Sequence, residues 1–250
     1  MKPFLAALQF LTIVPLPRAL YPDERALGRS LPFFPIVGLL IGATVALADW
    51  TLGHLFPAPV TSVLTVILLI AFSGGLHIDG LADTADGFFS SRPRERILEI
   101  MKDSRTGPMG VAAIVGTVAL KIALLASIAP PWRWWVLLLM PVAGRASLLV
   151  HLTLLPYARP EGGLAGIFHA NRSRGKALWA LLVLLAAGGL AGGWPGFIAG
   201  TMAFLMALGT AAWSSRKIGG LTGDTLGAAC ELTELAPALV AAAILHGGGA

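Results

Sequence analysis

Three aspartates, Asp79, Asp83 and Asp86, lie in the stretch Gly74-Gly-Leu-His-Ile-Asp-Gly-Leu-Ala-Asp-Thr-Ala-Asp-Gly87, at the close of a hydrophobic run long enough to span a membrane. On a helix turning about 100° per residue they fall within about 60° of one another, on one face. Carboxylates that close repel, and the end of an apolar helix adds a desolvation cost. A divalent cation removes both penalties. Mg²⁺ suits the spacing best, because it takes carboxylates together with phosphate oxygens and water and can bridge the attacking and leaving oxygens of a diphosphate. The plain alternative is a helix that simply ends among lipid headgroups, a poor place for three acids beside anionic lipid.

Two later stretches carry compatible chemistry. In Ile100-Met-Lys-Asp-Ser-Arg-Thr-Gly-Pro-Met-Gly110, Asp103 can complete a metal shell, while Lys102 and Arg105 can hold phosphate oxygens. Ser104, Thr106, Gly107 and Pro108 suit a helix start, whose dipole favours an anion. An ordinary basic loop is the competing reading here, and Arg94 and Arg96 read as topology residues. In the stretch from Arg216 to Glu234, Gly219, Gly220 and Gly223 read as a loop and a helix opens near Asp224. Asp224 and Glu231 lie seven apart and so share a face, which suggests a cation or a polar substrate. Helix capping by Thr222 or Asp224 is the alternative.

Single polar residues inside apolar runs complete the set. Arg145 is placed to reach a phosphate, whereas Lys121 reads as a snorkelling side chain. His77 is the histidine near the acids, as a ligand or as a polar group satisfied by a neighbouring helix. Tyr157-Ala-Arg-Pro and Gly162-Gly-Leu-Ala-Gly-Ile-Phe168 read as a flexible loop able to cover a ligand.

The elements that must position these residues follow from composition. Of 250 residues, 56% are hydrophobic and 12% charged, and the mean hydropathy is +0.79. A soluble domain carries roughly a quarter charged residues, so the chain reads as an all-α, polytopic integral membrane bundle. Spans of about 20 apolar residues fall near Leu31–Leu52, Val60–Leu81, Gly107–Ile128, Trp135–Leu155, Ala177–Leu190, Phe197–Ser214 and Thr225–His246. Gly188 to Pro195 breaks the long run between the fifth and sixth. That makes about seven transmembrane helices plus an N-terminal interfacial or partly inserted helix, all in one domain, residues 1–250. Cys230 is the single cysteine, which excludes an intrachain disulfide and a multi-thiolate zinc site.

Charge then orients the bundle. Arg18, Arg25 and Arg29, the run from Arg92 to Arg105, Arg159 to Lys176, and Arg216 with Lys217 all fall in alternate connections. The other connections carry Trp50, Trp132, Trp134, Trp135 and Trp194, with Arg133 as their charge. The positive-inside rule makes the basic side cytoplasmic. Asp79, Asp83, Asp86, Asp103, Asp224 and Glu231 therefore share the cytoplasmic face. Basic runs interleaved with aromatics are absent, so membrane lipid and not nucleic acid is the expected surroundings.

The order Gly-Gly-Leu-His-Ile-Asp-Gly-Leu-Ala-Asp-Thr-Ala-Asp-Gly, Met-Lys-Asp-Ser-Arg-x-Gly-x-x-Gly, Gly-Gly-x-Thr-Gly-Asp-x-x-Gly-Ala resembles the cobalamin synthase family. The likeness runs from the N-terminal helix nearly to the C-terminus. It implies a Mg²⁺-dependent transferase in the bacterial cytoplasmic (inner) membrane, with its active site facing the cytoplasm. That enzyme joins α-ribazole, or α-ribazole 5′-phosphate, to adenosylcobinamide-GDP and releases GMP. The resemblance places metal on Asp79, Asp83 and Asp86. It gives further roles to Asp103, Arg105 and Asp224, expected as catalytic, and to Ser104, Thr222, Gly223 and Glu231, expected at substrate; His77, Lys102 and Arg145 join the substrate contacts from the reading of the residues above. The expected chemistry is attack by the ribazole 5′-hydroxyl on the phosphorus attached to cobinamide, with Asp103 or Asp224 accepting the proton. A homo-oligomer is compatible with the sequence. Pro108-Met109 departs from the small polar and aromatic residues expected there, which touches loop detail only. Rival readings are a CDP-alcohol phosphotransferase, whose later paired aspartates are missing, a UbiA-like prenyltransferase, whose second Asp-rich repeat is missing, and a cation transporter, which expects acids near mid-membrane.

Overall fold

The computed structural model describes residues 2–17, 23–159 and 164–247. Arg18, and residues 160–163 of the expected ligand-covering loop, lie outside these. The described residues form α1 (Lys2–Leu11), α2 (Glu24–Gly28), α3 (Phe34–Gly53), α4 (Ala58–Phe72), α5 (Leu76–Phe88), α6 (Arg94–Ile100), α7 (Pro108–Ser127), α8 (Pro130–Leu154), α9 (Leu164–Ala170), α10 (Arg174–Ile218), α11 (Gly223–Thr233) and α12 (Leu235–Gly247). No strand occurs among them; Tyr157 and Leu221 form one isolated parallel bridge.

Helices dominate because a segment in lipid must satisfy its own backbone hydrogen bonds. α8 is mostly apolar and sits at the centre, with 89% of its most apolar window buried against 22% for α7. α3, α10, α11 and α12 pack around it. At 10 residues α1 is half the length of a span.

Among the described residues, five helical segments are long and apolar enough to cross a membrane. One of them, α10, doubles back at Gly193, where φ is 58°, as the Gly-rich break before Pro195 leads one to expect. Gly188 and Gly196, on its two legs, meet backbone to backbone. With the bent pair α4–α5 counted as one more, the described residues hold up to six candidate segments, one of them, α10, doubled.

The bent pair departs from expectation. Val60–Leu81 reads as one straight span, yet α4 stops at Phe72 and α5 leaves it at 89°. Gly74 and Gly75 have φ of 60° and 78°, left-handed values that glycine adopts without strain. Hydropathy runs straight through this corner because glycine, leucine and isoleucine do not interrupt it. The acids therefore stand on a separate helix and not on the end of a span.

Two loops at the same end are tied together. Ala158 N–H donates to the Leu221 carbonyl at 2.8 Å and Leu221 N–H to Pro156 at 2.9 Å. Arg94, expected as a topology residue, instead donates to the carbonyls of Ile218 and Ala158 at 2.7 and 3.1 Å. The opposite end holds more charge than Arg133 alone. Asp49, beside Trp50, pairs with Arg133 in the interior, and Thr65 donates to Asp49 at 2.8 Å.

Candidate active site

α5 lies against α11 with almost no space between the two backbones. A methyl group on Gly80 would stand 2.8 Å from the Asp224 carbonyl, and one on Gly227 2.9 Å from that of His77. Only hydrogen fits at either position. The contact brings Asp224, in the first turn of α11, alongside the acid face of α5. Thr222, and not Asp224, caps α11: its Oγ accepts from Thr225 N–H in a capping box. Asp224 is thereby left to face a ligand.

Asp79, Asp224 and Arg159 line a cavity of about 270 Å³, together with His77, Gly223 and a wall of apolar side chains. Arg159 donates from Nη2 to Asp224 at 2.7 Å, both side chains being mostly buried. Its Nε is buried with no partner among the described residues. The strand-like pairing of residues 156–158 with 220–222 sets Arg159 opposite Asp224. Asp83 is half-buried, within electrostatic reach of Asp224, Asp79, Asp86 and Arg159. Acid thus exceeds base around this cavity, which favours a cation or a cation-bearing ligand.

The expected metal set of Asp79, Asp83 and Asp86 is only partly brought together. Both oxygens of Asp86 accept backbone N–H groups at the start of α7, from Gly107 at 2.6 Å and Gly110 at 2.8 Å. Unsatisfied amides and the helix dipole draw the nearest carboxylate there, so Asp86 acts as a cap across two helices. Among the described residues no group of three or more His, Cys, Asp or Glu is arranged to hold a metal by itself. Mg²⁺ asks for less, commonly one or two carboxylates with substrate phosphates and water. Asp79, Asp83 and Asp224 offer hard oxygen donors of that kind.

The loop between α6 and α7 is tethered to α5 through Asp86. Lys102, Ser104 and Arg105 therefore stand exposed next to the acid helix and not on the cavity wall. Arg105 donates to Asp103 at 3.0 and 2.7 Å, and these bonds hold the Asp103 carboxyl down at about 2.

Three expectations are corrected by burial. Arg145, expected at a phosphate, and Lys121, expected to snorkel, are each 1% exposed. Lys121 donates to Glu231 and Glu234 at 2.7 Å, and Arg145 pairs with Glu234. Glu231, expected at substrate, is thus consumed inside a sealed cluster. An uncompensated charge at that depth is too costly to leave for a ligand. The sequence reading passed over Arg159 and Glu234. Arg159 sits in the Tyr157-Ala-Arg-Pro stretch already marked as a loop near a ligand, which was its available signal. Glu234 had none, since its partners are remote in sequence.

The fold and this site define a polytopic helical membrane protein with an acidic, Arg-bearing cavity at one end of the bundle. The family model for cobalamin-5-phosphate synthase matches residues 3–242, and the chain belongs to that family. A Roseiflexus sp. (strain RS-1) protein is 41% identical over 92% of this chain and 85% of its own. A Geotalea daltonii protein is 38% identical over 93% of each chain, and one from Pseudomonas putida KT2440 is 40% identical over 96% and 98%. Each of the three is named adenosylcobinamide-GDP ribazoletransferase. No solved structure matches the chain significantly.

Proposed function

We propose that the chain is an adenosylcobinamide-GDP ribazoletransferase, acting at the last assembly step of cobalamin biosynthesis. Near-full-length membership of a family whose members bear that name supports the reading, and leaves the lipid phosphotransferase, prenyltransferase and transporter alternatives without support. The structural observation that carries it is the meeting of Asp79 and Asp224, from two helices, with Arg159 on one cavity.

In the reaction a ribose hydroxyl of the ribazole attacks the phosphorus attached to cobinamide. A new P–O bond forms, the bond to the GMP oxygen breaks, and GMP departs. The family is described as a 5-phosphate synthase. In an acceptor carrying a 5′-phosphate that oxygen is already esterified, so attack comes from another ribose hydroxyl, which corrects the 5′-hydroxyl expected above. Asp224 accepts the hydroxyl proton. Arg159 offsets charge on the transferred phosphoryl group. Lys102 and Arg105, exposed beside α5, meet the guanosine phosphates.

Asp79 and Asp83 are the residues to hold Mg²⁺, with Asp224 opposite. When bound, the ion would neutralise the diphosphate and stabilise the departing GMP. The basic loops at this end support a site facing the cytoplasm, with the bundle in the inner membrane.

The test is product analysis on detergent-purified protein with adenosylcobinamide-GDP, Mg²⁺ and either α-ribazole or its 5′-phosphate. GMP and the complete cobamide are expected in equal amounts. No product with either acceptor overturns the reading, and product formation indifferent to a chelator removes the metal.

A further inference from the structure

The cavity has two chemically distinct halves, and the catalytic reading uses one of them. Asp79, Asp224 and Arg159 make a polar rim. Phe10 of α1 makes the aromatic face, with Phe34 of α3 and Phe168 of α9, each 1% exposed, packed behind it. Phe10 and Phe34 are stacked with ring centroids 5.8 Å apart. Phe168 closes on both at an angle, 4.7 Å from Phe10 and 5.4 Å from Phe34. Leu148 and Leu152 of the central helix complete the apolar half.

Such a cavity selects a molecule with a flat aromatic end and a hydroxyl-rich end. An acyl chain fills the aromatic half and leaves nothing for the rim. Size points the same way. About 270 Å³ is at or below the low end for small-molecule sites, enough for a nucleoside, whereas a corrin ring carrying a guanosine diphosphate is several times larger.

We propose that this cavity is the acceptor site: the planar base of a ribazole-type nucleoside lies against Phe10, which Phe34 and Phe168 back, with its ribose at the Asp224–Arg159 rim. The corrinoid substrate stays outside and presents only its phosphates there. This rests on the transferase reading above and adds where each of the two substrates binds. It also gives the short N-terminal helix a purpose, since α1 supplies the ring of the aromatic face. Offset or edge-on aromatic contacts give such a base both affinity and orientation.

Steady-state kinetics in both substrates separate the two claims. Absence of turnover in the wild type counts against the transferase reading. With turnover present, Phe10→Ala is expected to raise KM for α-ribazole about tenfold and the milder Phe10→Leu about threefold. KM for adenosylcobinamide-GDP should stay within about twofold, which also reports an intact fold. An unchanged α-ribazole KM in both variants, or a rise in the adenosylcobinamide-GDP KM instead, overturns the assignment. A second measurement needs no variant. An azido-substituted benzimidazole riboside irradiated with wild-type protein should label peptides containing Phe10 or Phe168, and excess α-ribazole should prevent it. Protected labelling elsewhere, or none, overturns the proposal.

Discussion

Two groups of charged side chains lie in this bundle and behave in opposite ways. Asp79 and Asp224 share a cavity with one cation, Arg159, and Asp83 stands half-buried within electrostatic reach of all three. Deeper in, Lys121 and Arg145 meet Glu231 and Glu234 in equal number, with all four side chains 5% exposed or less. The first group has excess charge and room; the second has neither. Charge balance and access, more than residue type, separate a site from a staple. A buried pair matched in number is strongly destabilised by losing one member, whereas an unmatched acid beside a cavity waits for a counter-charge from outside. Glu231 and Asp224 share a helix and a family motif, yet fall on opposite sides of this division.

The division is broken or sharpened by substitutions in each group. Asp83→Ala should abolish turnover, by about a thousandfold or more, with thermal stability in detergent unchanged; retained activity in folded protein would count heavily against the metal role. Glu234→Ala should do the reverse, removing the partner of both Lys121 and Arg145 at roughly 3–5 kcal/mol, read as a large fall in melting temperature and in folded yield. A variant as stable as wild type would show the inner cluster to be dispensable.

Smaller effects test how the two helices are joined. Gly227→Ala places a methyl 2.9 Å from the His77 carbonyl, so α5 and α11 must part. Turnover should fall about a hundredfold, in keeping with the penalty for a small misplacement. Arg159→Ala should lower kcat/KM about tenfold, the worth of one charge-assisted contact. Asp86→Ala leaves the first turn of α7 uncapped and should cost about 1 kcal/mol, seen as a modest melting shift with activity partly kept. A complete loss of turnover there would return Asp86 to the metal set.

Much of the arrangement is legible without coordinates. Apolar runs of span length are read correctly because each spanning segment must supply nearly all of its own burial and hydrogen bonding locally. α3 and α7 fall where hydropathy alone puts them, and the Gly-Gly-Trp-Pro break locates the turn in α10. The corner at Gly74 and Gly75 is missed for the complementary reason. Its cause is the packing of α5 on α11, an interaction between residues about 150 positions apart that leaves no mark on a hydropathy window.

The same limit applies to individual charges. Lys121 and Arg145 look alike to the sequence as cations in apolar surroundings, and neither the snorkelling expected of one nor the phosphate contact expected of the other describes it. Glu234, which pairs with both, stands at the junction of α11 and α12, and Arg133 likewise finds Asp49 on another helix. Arg159, read only as a loop cation, becomes a site residue because backbone pairing of residues 156–158 with 220–222 turns it toward Asp224.

By itself the sequence determined that this chain is a helical membrane protein of the cobalamin-5-phosphate synthase family with acids on its basic side, because composition, span length and motif order are properties of the linear chain. Which acids are open to a ligand, which are sealed in pairs and which merely cap a helix was decided by tertiary packing alone. The reason is that desolvation and pairing depend on what lies within a few ångströms in space, and in this bundle those neighbours come from remote helices.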